Sequence, residues 1–447
     1  MGISFCIFYF AFCLLHSPIL AADSPVFTSH RPPDSRPKFD IAKIRQAGIE
    51  QYKSQRLILW TDIDPEIAKT LPPLVDAAYE AWVKYFGPPL PDRDGAEYQL
   101  TGYLMKDRER FVETGLLPRE VAGFDHGANR GYEFWMNDQD LPYYRRHLLI
   151  HEATHCFMMT VPGPSPPLWY MEGMAEFFGT HAEATAGKPD FHVWPDRREN
   201  FVGFGRIELI QKEVAAKQAL AATQVLALEL ADFQKTRREP YAWTWALCHF
   251  LDTHPRYQQR FRELGKHLER QEFLDQIQKN FSKDLPILEH DWQLFTHTLC
   301  YGYQFSAAIV DFQEGVLLAQ GKSASLAVKP EIGWQSTKIA VESGRTYQIK
   351  ATGRVTLAPG PKPWDSEPQG ISIRYANGQP IGRLLGAVLS NSPDAEGHGT
   401  LWDVIPLDRE ARFKPSASGT FYLRVNDLWS ELADNEGEYQ VNVTARD

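Results

Sequence analysis

The spacing of hydrophobic and polar positions changes twice along this 447-residue chain. Between residues 57 and 136, short apolar runs typical of strands alternate with helical patterns. From about residue 142 to 300 the spacing is almost wholly helical. After about residue 305 it becomes the two-residue alternation of short strands, separated by Gly, Pro, Asn and Ser. The pattern predicts an α+β unit with a small N-terminal sheet and a mostly helical second half, followed by an all-β sandwich.

Residues at the ends of elements refine the first part of this pattern. Asp64-Pro65 has the form of an N-cap followed by proline at the first helical position, and Pro72-Pro73 is expected to divide the helix that follows. The stretch 131–136 lies just before the next helix and is expected to be an edge strand of the sheet. Strands are predicted at 57–60, 98–105 and 131–136, and helices at 65–86 and 107–116.

Helices account for the middle of the chain, and strands for its last third. Helical patterns are predicted at 142–159, 168–178, 206–221 and 241–252. Beyond residue 305, alternation predicts strands in LAVKP, STKIAVE, TYQIKA, GISIRYA, TFYLRVND and YQVNVTA. Several short strands at such intervals are typical of a β-sandwich.

The N-terminal residues have the form of a targeting segment. Residues 1–22 contain no Lys, Arg, Asp or Glu, and their apolar run is followed by Ala21-Ala22. This is typical of a cleaved secretory signal, and an uncleaved anchor is the alternative. No other stretch is long enough to cross a bilayer. We therefore expect a signal peptide at 1–22, an irregular lead-in at 23–50, units at 51–304 and 305–447, and a mature protein that is secreted, periplasmic or at the cell surface.

Composition excludes some classes of protein. Hydrophobic residues make up 43% and charged residues 23%, which is typical of a folded, soluble chain. The net charge of -10 argues against a nucleic-acid partner, because phosphate backbones need a basic surface. Beyond the predicted signal, Cys156, Cys248 and Cys300 are too few and too far apart for a disulfide framework, so either one bridge or buried thiols are expected.

Candidate metal ligands concentrate in two consecutive predicted helices. His151, Glu152 and His155 form an HExxH sequence in the first of them. Residues four apart share a helix face, so both histidines can bind one zinc ion while Glu152 handles a proton beside it. Such a zinc ion needs a third protein ligand and an open position for water, and Glu172 in the second helix is the candidate. Glu176 lies four residues further on, on the same face.

Other arrangements around HExxH fit less well. The metzincin pattern would require glycine and histidine where the chain has Met158 and Val161. His181 follows the second helix without a recognised ligand spacing, and we expect a surface histidine. His126 either lines the cleft or is an ordinary loop histidine, and the loop is favoured.

HExxH followed by W-x-x-E-G-x-A-E resembles the gluzincins, the peptidase MA-like proteins related to thermolysin and to the leukotriene-hydrolase type aminopeptidases. A second stretch, EPYAWTWALCHFL at Glu239–Leu251, is similar to the PY…ALxxxL helix of that family. The resemblance runs from about residue 52 to 300. It implies a zincin-like fold for the first unit, a zinc cofactor, and a peptide or protein substrate.

The same resemblance implies a role for each candidate. His151, His155 and Glu172 would bind zinc, and Glu152 would be the general base that takes a proton from water. Glu176 would accept a hydrogen bond from a metal-binding histidine, with an ordinary surface glutamate as the alternative. Tyr241 matches the tyrosine that stabilises the oxyanion in the aminopeptidase branch, and a core tyrosine is the alternative.

One departure from the family narrows the expected activity. No GxMEN-type sequence precedes the HExxH helix, and that motif binds the free amino terminus of a substrate in the aminopeptidases. An endopeptidase is therefore favoured over an aminopeptidase.

From about Ile332 the chain resembles the galactophilic PA-I type lectins, which are small calcium-containing β-sandwiches. The similar stretches are GWQSTKIAVESGRTYQIKATGR, PQG and TFYLRVNDLWSELADNEGEYQVNV. The resemblance implies calcium ligands at Asp427, Glu431 (through its carbonyl), Asp434 and Asn435. A solvated acidic turn would use the same residue types, so both interpretations stay open.

Carbohydrate binding by this unit is one of two expectations. The histidine that precedes the PxQG element of the lectin is replaced near Glu367, whereas Gln369 is retained. The unit is therefore either a carbohydrate-binding module or a spacer and adhesion module. The whole sequence predicts an exported zinc metallopeptidase with an appended binding domain. The alternative is a catalytically weak or inactive zincin-fold protein that acts in cell-surface carbohydrate binding or adhesion.

Overall fold

The structure, a computed structural model, describes residues 30–446 except 35, 184–186, 237 and 393–398. The signal peptide predicted at 1–22 lies outside these residues. The helices are α1 Ile41–Gln46, α2 Pro65–Ala68, α3 Leu71–Phe86, α4 Arg108–Thr114, α5 Pro142–Met158, α6 Leu168–Gly179, α7 Arg206–Ala215, α8 Ala222–Leu226, α9 Leu230–Thr236, α10 Glu239–Thr253, α11 Gln258–Leu264, α12 Arg270–Phe281 and α13 Leu285–Thr298. The strands are β1 Glu50–Lys53, β2 Leu57–Thr61, β3 Leu100–Met105, β4 Gly127–Arg130, β5 Glu133–Asn137, β6 His181–Ala182, β7 Asp190–Phe191, β8 Val316–Leu317, β9 Ser323–Val328, β10 Gln335–Val341, β11 Tyr347–Thr356, β12 Asp365–Ser366, β13 Gln369–Ala376, β14 Gln379–Leu389, β15 Ile405–Pro406, β16 Glu410–Phe413, β17 Gly419–Val425 and β18 Glu436–Ala445.

The N-terminal sheet has helices on both faces. Its strand order is β1-β2-β3-β5-β4, with β2, β3 and β5 parallel and the two outer strands antiparallel to their neighbours. Side chains of one face join α3 and α5 in the main hydrophobic core, and those of the other face join Ile44 of α1 and Phe111 of α4. β3 is buried along its whole length because both of its faces are covered.

The edge strand differs from the prediction. The stretch 131–136 was expected to supply it, but β5 is an inner strand that pairs with β3 on one side and β4 on the other. The edge is β4, and a turn at Gly131 (φ 61°) connects the two strands. GANR, the sequence of β4, contains no β-branched or aromatic residue, so its pattern gave no strand signal.

Two further expectations need correction. The lead-in at 23–50 is not irregular throughout, because Asp40 caps α1 by accepting hydrogen bonds from the Ala42 and Lys43 amides. The helix predicted at 65–86 is divided before its prolines, not at them. Pro72 and Pro73 lie in the first turn of α3, where a missing N–H leaves no helical hydrogen bond unmade.

Close packing of α6 against α10 brings distant parts of the chain together. A Cβ on Gly173 of α6 would lie 2.8 Å from the Thr244 carbonyl oxygen and 2.5 Å from Cys248 Sγ, both on α10. Only glycine allows this approach. The N-terminal end of α10 therefore lies beside α5 and α6, with Tyr241 6.2 Å from His151 between ring centroids.

The C-terminal part, as far as the structure describes it, is β-rich and contains two sheets. One has the order β13-β14-β17-β10-β8, with β15 paired to β14, and the other has the order β12-β11-β18-β9, with β16 paired to β11. Side chains of both sheets form a second hydrophobic core. The chain as described is thus α+β with a β-rich C-terminal region. The six predicted strand stretches correspond to β9, β10, β11, β13, β17 and β18.

The hydrophobic core of the helical part extends into this β-rich region. Trp429 packs against Tyr303 with ring centroids 5.9 Å apart, and Gln304 Oε1 accepts hydrogen bonds from the Leu432 and Ala433 amides at 2.9 and 2.7 Å. Residues of the β-rich region that belong to the main core are Trp334, Leu385, Ala387, Leu401, Tyr422, Trp429 and Leu432.

Among the described residues, no helix has the length and apolar character needed to cross a membrane.

Candidate metal centre

The HExxH residues lie in the buried part of α5. From His147 to Met158 every residue of this helix is buried, because α5 is packed between the sheet, α3 and α6. His151, Glu152 and His155 are each only 5% exposed. Buried polar groups need partners. Here the neighbours of the two histidines are other ionisable side chains and the partner of Glu152 is Asn129, which indicates a built site rather than a surface cluster.

Three donor atoms converge at this point. His151 Nε2 and His155 Nε2 are 3.1 Å apart, and Glu172 Oε2 of α6 lies 3.5 Å from the first and 3.2 Å from the second. A tetrahedral zinc ion with bonds of about 2.0–2.1 Å would space its donors roughly 3.4 Å apart. The donor set and its dimensions therefore fit zinc, with two imidazole nitrogens and one carboxylate oxygen.

The electrostatics of the group favour a cation. Burial alone would raise the pKa of Glu172, but the rings of His155 and His151 outweigh it and lower this pKa to about 2. Burial alone would lower the pKa of His151, but the carboxylates of Glu172 and Glu176 outweigh it and raise this pKa to about 10. The carboxylates thus stabilise positive charge where the three donor atoms meet.

Glu176 lies behind the metal group and is 3% exposed. Its Oε1 is 3.4 Å from His151 Nδ1, the ring nitrogen opposite the one in the donor triangle. Arg206 of α7 donates hydrogen bonds to both of its oxygens, Nη2 to Oε1 at 2.8 Å and Nε to Oε2 at 2.9 Å. His147 Nε2 lies 3.3 Å from Oε2. Burial would raise the pKa of Glu176, but Arg206 and His147 hold it well below its usual range.

Glu152 faces the edge strand. Its Oε2 accepts a hydrogen bond from Asn129 Nδ2 of β4 at 3.2 Å. A Cβ on Gly127 would lie 2.1 Å from Glu152 Oε1, so a side chain there would displace the carboxylate. Burial raises the pKa of Glu152 above that of an ordinary carboxyl group, which suits a group that must take up a proton.

Tyr241 lies on the α10 side of the same group. Its ring packs edge-on against the ring of Phe233, with centroids 5.0 Å apart, and Arg206 Cζ lies 5.9 Å from the Tyr241 ring centroid. Burial, followed by the negative charges of Glu172, Glu176 and Glu152, raises the pKa of Tyr241 well above its usual value. Its hydroxyl therefore stays protonated and can act as a hydrogen-bond donor.

The two alternative histidines lie outside the donor triangle. His181 was expected at the surface but is 2% exposed, stacked on Tyr143 with ring centroids 4.9 Å apart, and its Nδ1 contacts the Gly179 carbonyl oxygen at 2.8 Å. Burial lowers the pKa of His181 to about 4. His126 is exposed in the loop before β4, as the loop interpretation predicted.

The structure brings together two of the four residues predicted to bind calcium. Asp427 and Asn435 are buried, and Asn435 Nδ2 donates to Asp427 Oδ2 at 3.0 Å. Burial raises the pKa of Asp427 to about 6. The Asp434 side chain is exposed. The Glu431 carboxylate pairs with Arg374, whose Nη1 lies 2.5 Å from it, but the ligand predicted at this residue is its carbonyl oxygen, which takes no part in that ion pair. The calcium ligands therefore stay a prediction.

Three residues of the metal centre had not been predicted. Asn129 and Arg206 contact Glu152 and Glu176 across 23 and 30 positions of sequence. No spacing rule connects residues that far apart on different elements. His147 was detectable, because it lies four positions before His151 and thus on the same face of the predicted helix.

Fold and site together define an α+β protein with a β-rich C-terminal region and a buried group of two histidines and one glutamate that can hold a metal ion. No family model matches the chain, and no curated protein matches it significantly.

Part of the chain is similar to known structures. A PllA-like lectin, the EclA N-terminal domain, matches 27% of this chain and 95% of its own at 23% identity and a TM-score of 0.22. The Aeromonas hydrophila protein PliG, a periplasmic inhibitor of g-type lysozyme, matches 30% of this chain and 96% of its own at 12% identity and a TM-score of 0.17. At these TM-scores the similarities define neither fold nor function for this chain.

Proposed function

We propose that the protein is an exported zinc metallopeptidase of the gluzincin type. The observation that carries this proposal is the triangle of His151 Nε2, His155 Nε2 and Glu172 Oε2, 3.1–3.5 Å on a side, with Glu152 next to it on α5. Export rests on the apolar N-terminal sequence. The gluzincin assignment rests on the sequence motifs, which the donor set supports.

The ion held by these three residues would supply a water molecule with a pKa near 7 and would polarise the carbonyl group of the scissile peptide. Glu152 accepts the proton of that water at its carboxylate and later passes it to the leaving amine nitrogen. Its raised pKa brings the carboxyl group nearer to the pH at which it must both take and release a proton. The hydrogen bond from Asn129 fixes the orientation of the carboxylate.

Two further features suit a peptide substrate. The Tyr241 hydroxyl can donate a hydrogen bond to the oxyanion that forms on the attacked carbonyl, because its raised pKa keeps it protonated. β4 is the last strand of its sheet and contacts Glu152, so an extended peptide that pairs with it would pass beside the base. Binding along an edge strand suits an endopeptidase.

Hydrolysis of a mixed peptide pool tests the proposal. The wild type with its zinc is expected to cut the pool, and Glu152→Gln, which keeps the size of the side chain but removes the base, is expected to leave it uncut while retaining zinc. Glu263→Gln, at an exposed position of α11, is the matched control and should behave as the wild type. A zinc-loaded wild type that cuts nothing would favour the alternative of a non-catalytic adhesion protein.

The C-terminal region is proposed to be a calcium-containing, carbohydrate-binding-like module. This rests on its sequence resemblance, supported by Asn435 Oδ1, a buried oxygen that has no hydrogen-bond partner within the described part of the chain and belongs to the side chain that contacts Asp427. Paired carboxylate and amide oxygens are ligands that calcium prefers. If the site binds calcium, EGTA should lower the melting temperature of the full chain but not that of Asp427→Asn. A wild-type melting temperature that EGTA does not change would mean that these residues only form a turn.

A further inference from the structure

The surroundings of Glu176 are arranged symmetrically around its carboxylate. Each oxygen has one guanidinium nitrogen of Arg206 within 2.9 Å and one histidine nitrogen within 3.4 Å. Oε1 is shared between Arg206 and His151, and Oε2 between Arg206 and His147. All four side chains are buried.

His151 needs a partner for its second ring nitrogen. A neutral imidazole that binds a metal through Nε2 carries its proton on Nδ1, and an acceptor there fixes both the tautomer and the ring plane. Glu176 Oε1 is the acceptor that faces this nitrogen, 3.4 Å from His151 Nδ1, which is within ion-pair range but longer than a formed hydrogen bond. However, Glu176 has an equivalent attraction to His147 at 3.3 Å, so these two histidines alone do not fix the orientation of the carboxylate.

We propose that Arg206 is a positioning residue of the metal centre. Its planar guanidinium group binds both oxygens of Glu176 in a fixed orientation and thereby keeps Oε1 directed at His151 Nδ1. Arg206 binds none of the three donor atoms; its guanidinium group lies 5.9 Å from the Tyr241 ring centroid, and it acts on the metal group through Glu176 and His151. The inference rests on the proposed metal site but not on peptidase activity.

Arg206 also favours one of two possible metal sites over the other. His147, His151 and Glu176 form a second set of donor atoms that could hold an ion. Both Glu176 oxygens are already bound to the guanidinium cation, whose charge takes the place of a metal there. The ion is thus directed to the set that contains Glu172.

The test measures zinc affinity by competition with a chromophoric chelator, together with the visible spectrum of the cobalt-substituted protein. Arg206→Met, which removes the charge and all donors, is expected to weaken zinc binding about 10-fold, in the range found when partners of metal ligands are removed. Its cobalt bands should also change, because His151 is no longer oriented. Arg206→Lys, which keeps the charge but not the two-point contact, should fall between Arg206→Met and the wild type.

Arg256→Lys is the matched control, because Arg256 also pairs with a buried carboxylate, that of Asp291, away from the metal centre. It should leave affinity and spectrum unchanged even where it lowers stability. If Arg206→Met does not fold, Arg206→Lys carries the test. A wild type that binds zinc while both variants match its affinity and cobalt spectrum overturns the role of Arg206. A wild type that binds no metal overturns the metal site itself.

Discussion

Glu152, His151 and His155 owe their suitability to neighbours on other elements. Their spacing of four residues places both histidines on one face of α5, because an α-helix has about 3.6 residues per turn. It does not supply Glu172 from α6 or Asn129 from β4, which contact them in the folded chain. Residue identity within the motif was therefore predictable from sequence. The pKa values of these groups were not predictable from sequence, because burial and contacts between elements determine those values.

Tyr241 gives a prediction for catalysis at this scale. Tyr241→Phe removes only the hydroxyl group, and if that group stabilises the oxyanion, kcat should fall about 10²–10³-fold. KM and zinc content should stay nearly unchanged, because neither depends on the transition state. Tyr301→Phe, which removes a hydroxyl bonded to Glu208 instead, is the control. Equal kcat values for Tyr241→Phe and the wild type would identify Tyr241 as a core tyrosine.

His249 gives a prediction for stability against pH. It is fully buried among Phe177, Trp194 and Trp245, neither of its ring nitrogens has a hydrogen-bond partner among the described residues, and burial holds its pKa well below 6.5. In the unfolded chain it takes up a proton below about pH 6.5. The unfolded state then binds more protons than the folded state, so stability is lost as pH falls below that value.

His249→Phe should remove this contribution. Between pH 7.5 and 5.0, urea unfolding of the variant should show a loss of stability smaller than that of the wild type by about 2 kcal/mol, which is 1.36 kcal/mol for each pH unit below 6.5. Taking the difference between the two proteins cancels the contributions of the metal centre and the other histidines. Parallel pH profiles for wild type and His249→Phe would contradict the prediction.

At the scale of elements, strong periodicity was informative and short strands were not. α5 and α6 were predicted nearly to their ends because a buried helix leaves a long apolar pattern. β4 was missed because GANR has no strand formers. β14 was missed because Pro380, Gly382 and Gly386 interrupt its sequence. At Gly382 the backbone has φ 76°, and a Cβ would lie 2.2 Å from Ser366 Oγ, so glycine is required inside the strand.

The contact between β4 and α5 gives a prediction about Gly127. In Gly127→Ala the new methyl group would occupy the space of Glu152 Oε1, which lies only 2.1 Å from the Cβ position. The carboxylate must move, because it is at the end of a flexible side chain and the strand is held by β5. We expect a folded, zinc-binding protein with little or no peptidase activity.

Gly123→Ala is the matched control for that variant. Gly123 precedes β4, its φ is not positive, and a Cβ there would meet no atom within 4 Å. Activity, zinc content and melting temperature should all equal those of the wild type. If Gly127→Ala cuts peptides as fast as Gly123→Ala, the catalytic action of Glu152 does not depend on its contact with β4.

At the scale of the whole molecule, the helical and β-rich parts share one core. Trp429 is 3% exposed and belongs to the main core, although it lies in the loop after β17. The change of pattern near residue 305 predicted where strands begin. It could not show that side chains of the β-rich region are buried in the core of the helical part, since a buried face produces the same alternation whatever covers it.

Trp429→Ala tests the shared core. Loss of a buried Trp side chain should destabilise the chain by about 3–5 kcal/mol, and calorimetry should show a single transition at lower temperature. Tyr375→Ala, at a residue of β13 that is 56% exposed, is the control and should not shift the temperature of the transition. Two transitions, of which only one moves in Trp429→Ala, would mean that the two parts unfold independently.

The most direct test of the metal centre is the anomalous scattering of a crystal of the purified protein, measured on both sides of the zinc absorption edge. We expect one zinc peak within about 2.0–2.2 Å of His151 Nε2, His155 Nε2 and Glu172 Oε2, and no peak between His147 and Glu176. A zinc-containing protein with no peak among those three donor atoms, or with its peak at another group of residues, would contradict the account.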